Sequence, residues 1–193
     1  MRIATRIVPL ILCALLFAPF SSPRMHATTL ARLSLDQLAA GSSAVASVRC
    51  KATESRWENG AIWTVTTLQV VESLKGTLPS EITVRLPGGR VGHLTAAIDG
   101  APIFAPGNEA IVFLQPSRAG GFTVAGWAEG TFRISRDPRT GLESVTQESS
   151  RFAVFDAPTR AFRTEGVRRM PLEEFRARVA TAVAVARSQE KIR

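Results

Sequence analysis

The chain is poor in the residues that most often carry chemistry. It has two cysteines, Cys13 and Cys50, and the first lies in an N-terminal segment expected to be removed. One remaining thiol makes no internal disulfide, so the core must hold the fold unaided. Cys50 sits in the alternation Ala46, Val48, Cys50, Ala52, the place of a buried thiol used as a small hydrophobe. Beyond residue 27 the only histidine is His93, in the glycine-flanked stretch Gly92-His93-Leu94, where it reads as a solvated loop side chain. A zinc site of usual composition is thereby excluded, and no metal or cofactor is expected. The sequence also lacks a G-x-S-x-G elbow, a P-loop and a dinucleotide fingerprint. Ser73 and Lys75 have the spacing of a Ser–Lys pair on one strand face, but Lys75-Gly76 marks a strand end. Asp99, Glu109 and Glu129 show no pairing, and the expectation is a protein that is not an enzyme.

A membrane-spanning run is missing as well. The longest apolar stretch, residues 7–20 (IVPLILCALLFAPF), makes roughly 21 Å of helix, short of the ~30 Å hydrocarbon core. Arg2 and Arg6 precede it, and a small residue, Ala27, follows. This is the layout of a signal peptide over 1–27, which predicts export to a periplasmic or extracellular location. No transmembrane segment is expected after cleavage. The formal charge is +8 over the whole chain, but it is unevenly placed. Residues 28–150 hold equal numbers of acids and bases, and residues 151–193 hold 10 basic and 5 acidic side chains. A neutral body with a basic end argues against nucleic acid as partner, since such a binder places its charge on the domain's binding face.

What is present reads as a mainly β domain. Ser34 before Leu35 and Leu38, with Gly41 as a stop, predicts a short helix over 34–41. Strands are expected at 44–57 and 61–74, joined by an Asn59-Gly60 type I′ turn, which both residues tolerate at positive φ. The alternation in 61–74 is imperfect, which calls for a bulge or two-sided burial. Ile82, Val84 and Leu86 alternate cleanly in a third strand. Pro87-Gly88-Gly89 opens a long connection to Pro106-Gly107, and 109–115 is apolar on both faces, as a central strand would be. Further strands are expected at 122–127, 130–135 and near 142–147, the last two separated by a turn at 137–141. The pattern then fades into a linker over 148–170. Pro171 starts a C-terminal helix over 171–190, whose Leu172, Phe175, Val179, Ala182, Val183 and Ala186 form a narrow, alanine-rich stripe predicted to dock weakly. The domain at 28–147 is best described as a small OB-like β-barrel with a helix at each end.

Two features point to binding. Counting back from the turn, Arg56 faces Trp63 and Trp57 faces Ile62, so Arg56 is placed over the Trp63 ring, and Trp57 and Trp63 occupy opposite faces. Tryptophan and arginine are the residues most often found at interface hot spots, which makes Arg56, Trp57 and Trp63 the candidate partner-binding set. In the basic C-terminal segment, Arg168, Arg169, Arg176 and Arg178 are candidates for contact with an anionic envelope surface.

The run from Leu35 through Ile134 also resembles a group of exported bacterial proteins without an assigned function. The shared outline is Trp57, Glu72-x-x-Lys75-Gly76, Pro87-Gly88-Gly89, Pro102, Phe104 and Gly107, Phe113-Leu114, and Gly126 with Gly130 and Phe132. More distantly, the order is similar to the netrin-like, OB-type domain of tissue inhibitors of metalloproteinases. That resemblance implies a five-stranded barrel and a protease partner. Those inhibitors reach the catalytic zinc with an N-terminal cysteine inside a disulfide framework, which this chain lacks. The expectation from sequence is therefore an exported, protein-binding module, with an envelope-attached protein as the alternative.

Overall fold

The computed structural model describes residues 31–151 and 153–190; the expected signal peptide at 1–27 lies outside the described residues. Ser34 caps helix α1 (Leu35–Gly41) through a capping box, its hydroxyl accepting from the Gln37 N–H and the Gln37 side chain accepting from the Ser34 N–H. Strands β1 (Ala44–Glu58) and β2 (Ala61–Lys75) form one long hairpin. Its turn has φ of 49° at Asn59 and 81° at Gly60, and the pairs Glu58–Ala61, Trp57–Ile62 and Arg56–Trp63 are as expected. Three register slips leave Lys51, Val71 and Leu74 without a direct partner. These bulges are why the alternation along β2 is broken.

Strand β3 (Glu81–Pro87) adds to β2, with Ile82, Val84 and Leu86 buried. The connection expected at 87–107 carries a small hairpin of its own, β4 (Gly89–Val91) and β5 (Leu94–Ala96). Next come the central β6 (Glu109–Pro116) and β7 (Phe122–Val124). The strand expected over 122–127 ends at Val124, because Gly126 and Trp127 adopt left-handed backbone, with φ of 61° and 52°, and lead into the 3-10 turn Trp127–Gly130. Strands β8 (Thr131–Arg136) and β9 (Glu143–Gln147) pair across the 137–142 turn. The segment expected as a linker holds the hairpin β10 (Val154–Asp156) and β11 (Ala161–Arg163), then β12 (Met170–Pro171), which pairs with β9. Helix α2 (Leu172–Glu190) ends the described chain.

The main sheet runs β1-β2-β3-β7-β6-β8-β9-β12, and β1 also pairs with β6. Strands β1, β2, β3, β7 and β6 thereby form a nearly closed ring, joined between β3 and β7 only by the parallel pair Val84–Phe122. Side chains on β1 and β6 alternate between two cores. Ala46, Val48, Cys50, Ala110, Val112 and Leu114 fill the ring with Leu68, Val84 and Leu86. Val45, Ile111 and Phe113 point outward into a second core with the two helices. This accounts for β6 being apolar on both faces.

Helix α2 does not dock weakly. The six residues of its stripe, Leu172, Phe175, Val179, Ala182, Val183 and Ala186, are all at most 4 % exposed. The Phe175 ring lies 4.5 Å from that of Phe132, which is in turn 5.7 Å from Phe113. The alanines permit close approach of the helix rather than weakening its contact. Lys75 is also structural. It is buried, and its ammonium donates to the carbonyls of Ala39 (2.9 Å) and Ser42 (2.7 Å) at the end of α1. A Cβ on the next residue, Gly76 (φ 73°), would fall 2.8 Å from the Ser43 carbonyl oxygen. The Glu-x-x-Lys-Gly element is thus a clamp between helix and hairpin.

Candidate binding surface

On the outer face of the hairpin, Arg56 stands directly opposite Trp63, but its guanidinium does not cover that ring. It turns to Glu54 (3.4 Å) and Glu58 (3.6 Å) instead. The cation over Trp63 is Arg85, 4.6 Å from the ring centroid. Arg85 pairs with Val65 and Trp63 with Pro87, so the two are diagonal neighbours across β2 and β3, a separation long side chains bridge. The carboxylate of Glu58 holds Arg85 from the other side at 2.5 Å. The expected cation–π contact exists with a different partner, because two acids on β1 compete for Arg56 and β3 brings a second arginine into range.

Trp63 and Arg85 form one wall of a groove of about 570 Å³. The opposite wall is the β6–β7 turn with Pro116 and Arg118, and Trp127 beyond it. The groove therefore lies where β3 and β7 diverge. Arg118 is exposed and has no ion-pair or hydrogen-bond partner among the described residues. Trp127 is half-buried, with a backbone conformation that bulky residues rarely adopt. Its position is fixed from behind: the Thr131 hydroxyl donates to the Trp127 carbonyl (3.0 Å), and the Ala128 N–H donates to Gly100 (2.9 Å). The groove thus combines two indole faces, one cation engaged on Trp63 and one unpaired.

Trp57 lies on the other face of the hairpin, opposite Ile62, and is 56 % exposed. It does not meet Trp63 in one patch; the binding set read from sequence divides between two faces. Arg85, Arg118 and Trp127 were not singled out in the sequence. The available signal for Trp127 was a tryptophan directly after Gly126 in a segment otherwise read as strand.

The C-terminal arginines are mostly occupied. Arg168 donates to the carbonyls of Ser150 (2.7 Å) and Thr164 (2.9 Å). Arg176 pairs with Glu72 (3.3 Å) on β2 and with Glu173, and Arg178 with Glu174 (2.7 Å). Arg169 is exposed, with φ of 47° and its backbone N–H on the Thr146 hydroxyl. Three of the four are held by protein groups, and they do not form a continuous free basic face.

The remaining candidates separate. His93 is exposed in the β4–β5 turn. Ser73 is exposed while Lys75 is buried on the α1 carbonyls, with the Leu74 bulge between them. Glu129 is buried and accepts from the Leu33 N–H at 3.1 Å, while its backbone carbonyl accepts from the Gln147 side-chain amide at 2.8 Å. Glu109 pairs with Arg49. Burial raises the Cys50 thiol pKa above its ordinary value, opposed by the nearby positive charge of Arg133 and by a backbone hydrogen bond from Ala52. Among the described residues no group of three or more histidine, cysteine or acidic side chains is placed to hold a metal ion. No helix among them is long and apolar enough to cross a membrane. Compared with protein-family models and with curated proteins, the chain matches none.

Proposed function

We propose that this is an exported, non-enzymatic recognition module on an OB-like ring, and that it holds an extended acidic segment of a protein partner in the Trp63–Trp127 groove. The OB-like reading is supported by the strand order, in which the ring's third and fifth strands close in parallel. Barrels of that type commonly bind along the second and third strands and the loop between the fourth and fifth, and the groove lies there. Export rests on the N-terminal sequence. The observation that carries the binding reading is the unpaired, exposed Arg118 beside Trp127, an aromatic residue held in costly left-handed backbone. Strained residues persist only where the surrounding structure holds them, and they cluster at binding sites. Paired aromatics and arginine give such a groove its affinity, and the free cation selects carboxylates.

Titration of the full mature chain with acidic and basic extended peptides, read by tryptophan fluorescence, tests this. The acidic peptide is expected to bind saturably, more weakly as salt rises, and at least about ten-fold more weakly to Arg118→Glu. Equal binding of both peptides, or of the acidic peptide to wild type and variant, would refute the groove as the recognition site.

A further inference from the structure

The connection between β3 and β6 folds back over the β1–β2 ribbon and encloses a cavity of about 510 Å³. This lies within the roughly 300–1,000 Å³ span of small-molecule sites, and the cavity shares only Pro87 with the Trp63–Trp127 groove. Its ribbon wall is a block of hydroxyls, with Thr53 opposite Thr66 and Ser55 opposite Thr64. Leu86, paired with Thr64 across β2 and β3, extends this wall, and the facing wall is apolar, with Pro102 and Phe104 buried. The approach of the two walls depends on Pro87-Gly88-Gly89. A Cβ on Gly89 (φ 127°) would lie 2.3 Å from both Ser55 Oγ and Thr64 Oγ1, and one on Gly88 (φ 91°) 2.7 Å from the Ala96 carbonyl oxygen. Arg133 pins the far end of the connection, donating to the Ile103 carbonyl (2.6 Å) and stacking 4.4 Å above Phe104.

The hydroxyl protons can be counted. Thr64 Oγ1 donates its only proton to the Gly88 carbonyl at 2.7 Å. Ser55 Oγ, 2.8 Å from Thr64 Oγ1, must therefore be the donor to it, and Ser55 is left with acceptor capacity alone. Thr66 is fully buried, and its Oγ1 has no hydrogen-bond partner. A buried hydroxyl without a partner is costly, and this one belongs to the cavity wall. Among the described residues lining the cavity, the ionisable ones, Arg90 and Asp99, are exposed. The connection also exposes three aliphatic side chains, Leu94, Ile98 and Ile103, the last at 83 %.

We propose that this cavity binds a small, uncharged, amphipathic molecule. A hydroxyl or amide group of the ligand pairs with Thr66 and donates to Ser55, while its apolar part lies against Leu86, Pro102 and Phe104. A charged head is disfavoured because none of the described residues lining the cavity offers it a buried counter-ion. The test is an amide chemical-shift titration of the mature chain with 1-monohexanoylglycerol and hexanamide as neutral probes and hexanoate as the charged one. At least one neutral probe is expected to shift residues 64–66 and 87–104 saturably, with hexanoate at least about ten-fold weaker. Thr66→Val keeps the shape and removes the hydroxyl. It is expected to weaken the neutral probe about five-fold while leaving the melting temperature unchanged or raised. The proposal is overturned if neither neutral probe shifts these residues, if hexanoate binds as well, or if Thr66→Val binds like wild type. A melting temperature lowered by several degrees in Thr66→Val would also overturn it, since the hydroxyl would then already have a partner.

Discussion

Replacing Phe175 by alanine tests how far the C-terminal helix belongs to the folded core. Phe175 is fully buried, stacks on Phe132 at 4.5 Å, and sits in one cluster with Leu38, Phe113 and Val179. Truncating a buried phenylalanine costs about 3–5 kcal/mol. Loss of the ring pair contributes about 0.5–1.5 kcal/mol within that range. For a domain of this size each kcal/mol moves the melting temperature by about 2–4 °C, so the variant should melt at least ~6 °C lower. Urea unfolding followed by circular dichroism gives the free-energy change directly, at constant slope if the transition stays two-state. Valine at exposed Ala177 is the control for helix propensity alone, costing less than ~0.7 kcal/mol. A Phe175→Ala loss below about 1 kcal/mol would mean that the helix is an appendage, and the reasoning from burial would fail.

Further outcomes follow from the same structure. Lys75→Met should cost about 1.5–3 kcal/mol by leaving the Ala39 and Ser42 carbonyls without their ammonium donor; an unchanged urea midpoint would show that the clamp contributes nothing. Trp57→Ala, at an exposed position, should change stability by less than ~0.5 kcal/mol, and a loss above 1 kcal/mol would place that ring in a packed site. Cys50 should resist thiol reagents in the native state and react freely in urea. Because burial raises its folded-state pKa, the stability it contributes is present below the unfolded value and is lost as pH rises through the folded one. Cys50→Ala should therefore flatten the decline in stability above about pH 9, and an unchanged decline would contradict this.

Local signals in the sequence were strong where the chain pairs with itself at short range. Asn59-Gly60 fixed the hairpin register to the residue, and Ser34 as N-cap marked the start of α1. The apolar run in β6 correctly implied a strand with neighbours on both faces. Legibility fell where the deciding partner lies far along the chain. Arg56 opposite Trp63 is a β1–β2 fact, but the cation on that ring comes from β3, and no pattern within the hairpin reports it. The narrow stripe of α2 looked weak because alanine adds little area; its tight packing depends on Phe132 and Leu38, which lie elsewhere in the sequence. Residues 122–127 read as a strand because Phe122 to Val124 is one, whereas Trp127 breaks the pattern against its own preference. The Pro-Gly-Gly element was visible, and its reason was not: the glycines let the connection lie on Ser55 and Thr64.

The most direct test of the central claim is capture from the cell's own secreted and envelope fraction, using tagged mature protein and quantified by mass spectrometry. It should be run in parallel with the Arg118→Glu/Trp127→Ala variant and with Trp57→Ala. A recognition module working through the groove predicts one stoichiometric protein partner, with an acidic segment, retained by Trp57→Ala and lost by the groove variant while its fold is intact. Retention of that partner by the groove variant, or capture only of salt-labile envelope material, would contradict it.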